Sequence, residues 1–206
     1  MTYRYPDACI VVFCKAPIVG EVKTRLMPAL SASEAAQAHI TLTERLLTWL
    51  SSSTLCPVHL WCSPDTDHAF FQRCAAQYGV SLYSQCEGDL GVKMDQAIQT
   101  SLDAFEQVFL VGSDCPSLSE ADLIQALSDL NSDQDVVLAP AEDGGYVMIG
   151  CKASQPALFT DMVWGTNLVF QATVDRLNRV GLPFSTIPMQ WDVDRFEDWQ
   201  RFCQMK

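Results

Sequence analysis

Strand-like and helix-like patterns alternate along most of the chain. Residues 8–13 form a continuous apolar run, which is typical of a strand buried on both faces of a sheet. Apolar residues recur at helical spacing from Leu90 to Leu102, and residues 108–111 form another short apolar run. This alternation predicts an α/β fold in which helices cover a largely parallel sheet.

Capping signals and further apolar runs predict the remaining elements. Ser31 and Glu34 have the spacing of a capping box, which predicts a helix from residue 31 to about residue 50. Ser119 is the predicted cap of a helix that ends at residue 130. Further strands are predicted at residues 58–62, 80–83, 136–139, 146–149 and 184–187, and further helices at residues 65–78, 168–180 and 195–203.

Composition and charge narrow the class of protein. A chain of 206 residues with 49% hydrophobic residues is long enough to bury a core as a single domain, and we expect one domain over residues 1–206. The formal net charge of −12 argues against a broad nucleic-acid surface and against binding to anionic membranes. A small anionic ligand remains compatible, because it needs only a local cluster of cations.

The cysteines and the N-terminus indicate a cellular compartment. Nine cysteines, several of them inside apolar runs and none in a Cys-x-x-Cys pair, predict buried reduced thiols and no structural zinc site. Residues 1–7 are polar and lack a signal-peptide core, and no apolar run approaches the length of a membrane span. We therefore expect a cytoplasmic protein.

Three cations follow the first predicted strand. Lys15, Lys23 and Arg25 lie on the loop that leaves residues 8–13, and ligands of open α/β sheets bind at the carboxyl ends of the strands. Lys offers a point charge and Arg a two-pronged donor, which together suit a polyphosphate. The alternative is a set of solvated loop charges.

Asp114 follows the strand predicted at residues 108–111. A carboxylate there is a candidate ligand for Mg²⁺ or Mn²⁺, which prefer oxygen ligands. The alternative is a turn residue before Pro116. Asp192 and Asp194 alternate in a strand-like segment near the C-terminus. We expect Asp194 to cap the last helix and Asp192 to be a second metal ligand.

Two loops are candidate acceptor sites. Asp143, Gly144 and Gly145 form either a hairpin turn or a loop facing the ligand, in which Asp143 would orient or deprotonate an acceptor and the glycines would let the backbone approach it. Trp164 and Thr166 precede a predicted helix and would line an acceptor pocket, with a packing tryptophan as the alternative.

Two further groups of residues receive weaker expectations. Residues 88–94 begin a helix, where capping is the ordinary role and Lys93 a possible ligand contact. His39, His59 and His68 are scattered along the chain and are expected to be structural or exposed.

These motifs, taken in order, resemble a bacterial family of glycosyltransferase-A-like proteins that is similar to 2-phospholactate guanylyltransferases and molybdenum-cofactor nucleotidyltransferases. The resemblance implies the three-layer nucleotide-diphospho-sugar transferase fold, which is Rossmann-like and has one antiparallel strand. It also implies that Asp114 is the main metal residue and that Lys23 and Arg25 lie near the donor phosphates. The chain departs from the family pattern at residues 92–93, where Val-Lys replaces Glu-Arg, so Lys93 lacks the fork geometry. It departs again after Asp194, where Arg-Phe replaces Thr-Pro.

The sequence predicts a metal-dependent transferase with a nucleotide-activated donor and a small-molecule acceptor. No P-loop, dinucleotide-binding glycine motif or hydrolase elbow is present. The resemblance favours glycosyl transfer from a nucleotide sugar. The three-cation loop favours the alternative, nucleotidyl transfer from a nucleoside triphosphate to a phosphorylated small molecule with release of pyrophosphate. The third hypothesis is an inactive nucleotide-binding module.

Overall fold

The computed structural model describes residues 2–205. Within that range, strands β1 to β7 lie at Ala8–Lys15, Val58–Ser63, Ser81–Ser84, Gln107–Gly112, Val136–Pro140, Tyr146–Cys151 and Phe184–Thr186. Helices α1 to α6 lie at Ala32–Ser53, Ala69–Tyr78, Leu90–Leu102, Glu120–Leu130, Val169–Val180 and Phe196–Gln204. None of the helices in this described part of the chain combines the length and the apolar character that crossing a membrane requires.

The strands form one seven-stranded sheet in the order β3-β2-β1-β4-β6-β5-β7. β1 pairs in parallel with β2 and β4, β2 with β3, and β5 with β7. β6 runs antiparallel to both of its neighbours, β4 and β5. The predicted mixed α/β sheet, mostly parallel with one antiparallel strand, is therefore confirmed.

Helices cover both faces of the sheet and form the predicted three layers. One core cluster joins α1, α2 and α4 to the face of β1 that carries Ile10 and Val12. The other joins α3 and α5 to the opposite face, which carries Cys9 and Val11. Both faces of β1 are buried, and this explains why its sequence is continuously apolar rather than alternating.

A third, smaller apolar cluster lies beneath the loop that follows β1. Leu26 lies in a short 3-10 turn at Thr24–Leu26 and packs with Leu42 of α1 and with Trp191 and Val193 near the C-terminus. Leu26 and Val193 are fully buried. The cationic loop and the segment around Asp192 are thus held against the same apolar cluster.

The predicted caps of α1, α3 and α4 are confirmed. Ser31 and Glu34 form a reciprocal capping box at the start of α1. Ser119 caps α4 in the same way. Asp89 caps α3 by accepting a hydrogen bond of 2.9 Å from the amide of Val92. Each cap satisfies amides that the first helical turn leaves without a partner.

Two predicted helix starts are wrong. α2 begins at Ala69 rather than at residue 65, because His68 Nδ1 accepts a hydrogen bond from the amide of Phe70 and acts as the cap. Asp194 does not cap α6. The carboxylate of Asp198 accepts hydrogen bonds from the amides of Asp194 and Arg195 instead, which leaves the Asp194 side chain free to pair elsewhere.

All nine cysteines are free, as predicted. Seven are buried, whereas Cys86 is half-buried and Cys203 is exposed. Burial raises the pKa of the Cys14 thiol to about 12, so this thiol stays protonated near neutral pH. The buried cysteines therefore act as small apolar core residues.

Candidate active site

Two adjoining cavities lie at the carboxyl ends of β1 and β4. The first has a volume of about 420 Å³ and is called the cationic cavity, because Lys15, Lys23 and Arg25 line it together with His39. The second has a volume of about 210 Å³ and is called the apolar cavity. Its lining residues include Phe13, Met94, Leu110, Trp164 and Val169.

The two cavities share residues at the ends of the two central strands. Phe13 of β1 pairs in register with Gly112 of β4, and both line each cavity. Asp114 follows β4 directly and also lines both. Asp114 therefore stands at the junction between the cations and the apolar walls.

Lys23 and Asp114 form an ion pair at this junction. Lys23 Nζ lies 2.7 Å from Asp114 Oδ2, and it also donates a hydrogen bond to the carbonyl oxygen of Val193. The Lys23 side chain is 9% exposed, whereas Asp114 is 35% exposed. The Lys23 backbone has a φ of 49°, in the left-handed region that non-glycine residues rarely adopt. Strain of this kind persists where surrounding contacts fix it, and here the two hydrogen bonds of the Lys23 ammonium do so.

The ion pair keeps Asp114 ionised. Burial raises the pKa of Asp114, but the charge and the hydrogen bond of Lys23 outweigh burial, so the pKa lies below its usual value. An ionised carboxylate is the form that binds a metal ion. The part of Asp114 that remains exposed faces the cavities.

Asp192 faces the same junction but lacks a paired cation. Burial raises its pKa to about 7, and the charges of Asp114 and Asp143 add to this effect. The backbone holds Asp192 in place, because the amide of Val193 donates a hydrogen bond of 3.0 Å to the carbonyl oxygen of Asp114. Three carboxylates thus converge on one region.

The C-terminal helix braces this acidic segment. The Arg201 guanidinium of α6 lies 4.0 Å above the centre of the Trp191 ring, and its Nη1 lies 2.9 Å from Glu142 Oε2. Ser117 accepts a hydrogen bond of 2.9 Å from the Trp191 amide. Arg201 therefore links the segment before Asp192 to the loop that carries Asp143.

The loop from residue 141 to residue 145 is both a hairpin turn and a cavity wall. It joins the antiparallel strands β5 and β6, and Asp143 Oδ1 accepts a hydrogen bond of 2.8 Å from the amide of Gly145. Asp143 and Gly145 line the apolar cavity. Gly144 lines neither cavity. It packs on the backbone of Asn167, where an added Cβ would lie 2.2 Å from the carbonyl oxygen.

The other two cations of the loop are open to solvent. Arg25 Nη1 lies 2.7 Å from Asp194 Oδ2, with side chains 62% and 37% exposed. An exposed pair of this kind contributes little to stability, so Arg25 can turn to another anion. Lys15 is exposed and lines the same cavity. Together with Lys23, these residues bring three cations to one cavity, as the sequence predicted.

Trp164 and Thr166 line the apolar cavity, whereas Lys93 does not. The Trp164 indole packs on α3, where an added Cβ at Gly91 would lie 3.1 Å from its ring atoms. Trp164 therefore both packs against α3 and forms a wall of the apolar cavity, and its contact with an acceptor stays a prediction. Lys93 lies on α3 and is not among the residues that line either cavity, so its expected ligand contact stays a prediction.

His39 and Gln85 are site residues that sequence reasoning missed. His39 is buried in α1 and lines the cationic cavity, and its Nε2 lies 2.9 Å from the carbonyl oxygen of Lys15. Burial lowers its pKa, so the ring is neutral near pH 7. Gln85 follows β3 and donates a hydrogen bond of 2.8 Å to the carbonyl oxygen of Trp61. Neither residue lies in a motif that marks a ligand site.

The carboxylates of the junction fit a divalent cation held together with a ligand. Within residues 2–205, no group of three or more His, Cys, Asp or Glu side chains lies close enough to hold a metal alone. Asp114 and Asp192 both line the apolar cavity with carboxylate oxygens, and the pKa of Asp192 is raised first by burial and then by the charges of Asp114 and Asp143, which a cation would offset. Mg²⁺ commonly binds through one or two carboxylates and completes its shell with phosphate oxygens and waters.

Comparisons with solved structures agree on the fold. A provisionally assigned nucleotide-diphospho-sugar transferase from Desulfovibrio desulfuricans G20 is 31% identical, with a TM-score of 0.83 over 92% of this chain and 83% of that one. Glucosyl-3-phosphoglycerate synthase from Mycobacterium tuberculosis, in complex with Mn²⁺, UDP and glucosyl-3-phosphoglycerate, is 11% identical, with a TM-score of 0.58 over 95% of this chain and 75% of that one. The inositol-1-phosphate CTP transferase from T. maritima is 10% identical, with a TM-score of 0.59 over 95% and 92%.

Sequence comparison identifies the family. No protein of curated function matches the chain. A bacterial family model matches residues 46–166, a range that contains Asp114, Asp143 and Trp164. That match covers more than half of the 206 residues. The chain belongs to the family described as "Uncharacterized protein conserved in bacteria (DUF2064)".

Proposed function

We propose that the chain is a divalent-metal-dependent glycosyltransferase that uses a nucleotide-sugar donor. The observation that carries the proposal is the position of Asp114, which lines the cationic and the apolar cavity at once. A transferase must hold a charged donor and an acceptor on either side of the bond that breaks. The two cavities provide such a pair of sites, with an ionised carboxylate between them.

The donor phosphates would bind in the cationic cavity. Lys15 and Arg25 are exposed and can reach a diphosphate, and Lys23 is fixed beside Asp114. Positioned cations stabilise the negative charge that develops on a departing phosphate without reorganising during the reaction. His39 is neutral in this environment, so we expect it to shape the cavity rather than to add charge.

Asp114 and Asp192 would hold Mg²⁺ or Mn²⁺ against those phosphates. The metal would supply charge stabilisation to the leaving nucleoside diphosphate. The Mn²⁺ and UDP bound to glucosyl-3-phosphoglycerate synthase, which shares the fold, support this choice of ligands.

The acceptor would bind in the apolar cavity beside Asp143. In the transfer, the acceptor oxygen forms a bond to the sugar carbon, and the bond between that carbon and the phosphate oxygen breaks. The electron pair of that bond leaves with the nucleoside diphosphate, and the hydroxyl proton passes to a carboxylate. Asp143 is placed to accept this proton, because it lines the cavity on a loop whose turn is fixed by the Gly145 amide.

Nucleotidyl transfer is the second candidate. Three cations on one loop suit a triphosphate as well as a diphosphate, and the inositol-1-phosphate CTP transferase shares the fold. In that reaction the acceptor attacks the α-phosphorus and pyrophosphate leaves. Both reactions need the same cations, so product identity distinguishes them.

The test is a panel of nucleotide sugars and nucleoside triphosphates with and without Mn²⁺. A ligand that binds the folded state raises the melting temperature. We expect nucleotide sugars to do so with Mn²⁺, and Asp114→Asn to abolish the effect, while Asp133→Asn on an exposed turn leaves it intact. Release of nucleoside diphosphate supports glycosyl transfer, and release of pyrophosphate supports nucleotidyl transfer. Tight binding without either product would support the inactive module instead.

A further inference from the structure

The Lys23 ammonium already serves as the counter-ion of Asp114. Lys23 Nζ lies 2.7 Å from Asp114 Oδ2, and the Lys23 side chain is 9% exposed. The second oxygen of this carboxylate lies over the backbone of Gly112, because a Cβ added there would stand 3.0 Å from Asp114 Oδ1. The carboxylate that is proposed to hold a metal ion is therefore compensated by a cation of the chain itself.

A divalent cation on Asp114 would have to share the carboxylate with this ammonium. Two cations beside one carboxylate repel each other, and the repulsion is stronger where water is partly excluded. Asp192 offers carboxylate oxygens to the same cavity, but among residues 2–205 no three His, Cys, Asp or Glu side chains lie close enough to hold a metal alone. A metal ion by itself should therefore bind here weakly.

Local contacts hold the ammonium beside Asp114. It donates a second hydrogen bond to the carbonyl oxygen of Val193, and the Lys23 backbone has a φ of 49°. Leu26 and Val193 are fully buried in one apolar cluster, which fixes both segments. Moving Lys23 into solvent would break both hydrogen bonds and leave the buried part of Asp114 unpaired, so the ammonium stays in place.

The same ammonium keeps one donor for an anion. A Lys ammonium has three N–H donors, and Asp114 and Val193 accept two of them. Lys23 lines the cationic cavity together with Lys15 and Arg25, which are exposed. A diphosphate in that cavity would offset the charge of the ammonium, and it would also give a divalent cation the oxygens that two carboxylates do not supply.

We infer that Lys23 makes metal binding depend on the diphosphate. The site discriminates against free Mg²⁺ or Mn²⁺ and binds the ion together with a nucleoside diphosphate group, because that group offsets the charge of the ammonium. This inference rests on the proposed function, in which Asp114 is a metal ligand. It adds a second role for Lys23, which couples the binding of the two ligands to each other.

The first test uses Mn²⁺ alone and follows its binding to the full chain by EPR titration. Lys23→Gln removes the charge and should bind Mn²⁺ at least about tenfold more tightly than the parent, a ratio that corresponds to about 1.4 kcal/mol. Combining it with Asp114→Asn should abolish this gain. The matched control is Lys152→Gln, which changes a lysine that lines neither cavity and should bind Mn²⁺ as the parent does. Equal Mn²⁺ affinity in the parent and in Lys23→Gln would overturn the inference.

The second test measures the coupling between the two ligands. Calorimetry gives the dissociation constant of UDP without Mn²⁺ and with saturating Mn²⁺, and linkage makes the effect of each ligand on the other equal. UDP should bind the parent at least about tenfold more tightly with Mn²⁺, and this factor should be smaller in Lys23→Gln. The affinity of Mn²⁺ for UDP in solution is the same in both titrations, so the comparison isolates the contribution of the protein. A factor near one in the parent, which needs no variant to fold, would also overturn the inference.

The two proposals fail in different ways. If UDP with Mn²⁺ does not bind the parent, the proposed donor site is wrong, and the Mn²⁺ titration of Lys23→Gln still measures whether Lys23 excludes the metal ion. If UDP with Mn²⁺ binds but the coupling is equal in the parent and in Lys23→Gln, the donor site stands and the inference is wrong.

Discussion

Lys23 Nζ lies 2.7 Å from Asp114 Oδ2, although the two residues are 91 positions apart in the chain. The ammonium compensates a carboxylate at the end of the central strand β4 and also bonds the segment that carries Asp192. One side chain therefore joins three separate parts of the sequence at the candidate site.

Lys23→Met should destabilise the fold and weaken nucleotide binding. The variant leaves Asp114 without its cation, which costs about 1–3 kcal/mol, less than for a fully buried pair because Asp114 is 35% exposed. Urea unfolding measures this loss. Arg25→Met is the matched comparison, and its exposed pair should contribute about 0.2–1 kcal/mol. Equal losses of stability in the two variants would show that the Lys23 pair has no special role.

Asp192→Asn should abolish metal-dependent stabilisation without harming the metal-free fold. The change removes one of three carboxylates that repel one another, so the metal-free protein should be as stable as the parent or slightly more stable. Mn²⁺ with UDP should then raise the melting temperature far less than in the parent. Addition of EDTA to the parent should reproduce the behaviour of the variant. An unchanged response to Mn²⁺ would exclude Asp192 as a metal ligand.

Gly144→Ala should be much more destabilising than Gly165→Ala. Both glycines have positive φ, 89° and 75°, so each substitution carries backbone strain of about 1–2 kcal/mol. Only Gly144 adds a steric clash, because its Cβ would lie 2.2 Å from the Asn167 carbonyl oxygen, whereas nothing lies within 4 Å at Gly165. Thermal unfolding of the two variants measures the difference, and equal melting temperatures would contradict the close packing of these loops.

The contribution of the buried histidines to stability should fall as the pH is lowered through the range in which histidine titrates, whereas Asp192, whose pKa is raised to about 7, acts in the opposite direction over the same range. Burial lowers the pKa of His39 and of His59, so the unfolded chain binds these protons more readily than the folded protein. The stabilising contribution of each buried, neutral histidine is therefore complete above the histidine pKa of the unfolded chain, about 6.5, and is lost as the pH falls below that value. Urea unfolding from about pH 5 to pH 8 should show that the free energy of unfolding of the parent rises with pH relative to that of His39→Gln. A pH dependence of stability that His39→Gln leaves unchanged would show that His39 does not contribute to it.

Local signals in the sequence predicted much of the fold. The Ser31 capping box and the apolar run of β1 each depend on neighbouring residues, and both were predicted correctly. Asp114 was predicted because it follows a buried strand, and the carboxyl ends of parallel strands form the ligand-binding edge. Such features need no knowledge of distant contacts.

Features that depend on distant contacts could not be predicted. His39 lies on a helix face with apolar neighbours, and only the fold brings it to the loop after β1. Asp194 has the position of a cap, but its partner Arg25 lies in a distant part of the sequence and competes for the same carboxylate. Lys93 shows the converse, since its place near a helix N-terminus suggested a ligand contact, but it does not line either cavity.

Arg201 connects the C-terminal helix α6 to two segments of the candidate site. Its guanidinium lies over the Trp191 ring and forms an ion pair with Glu142, so the last helix contacts two acidic segments, one that precedes Asp192 and one that carries Asp143. Removing α6, by truncation or by a bulky fusion that displaces it, would leave Trp191 and Glu142 without their shared partner, while the backbone hydrogen bonds that Gln190 makes with Pro140 and Glu142 would still join the two segments. Shortened or C-terminally fused versions of the chain would then show how far the side-chain contacts of Arg201 alone affect the proposed activity.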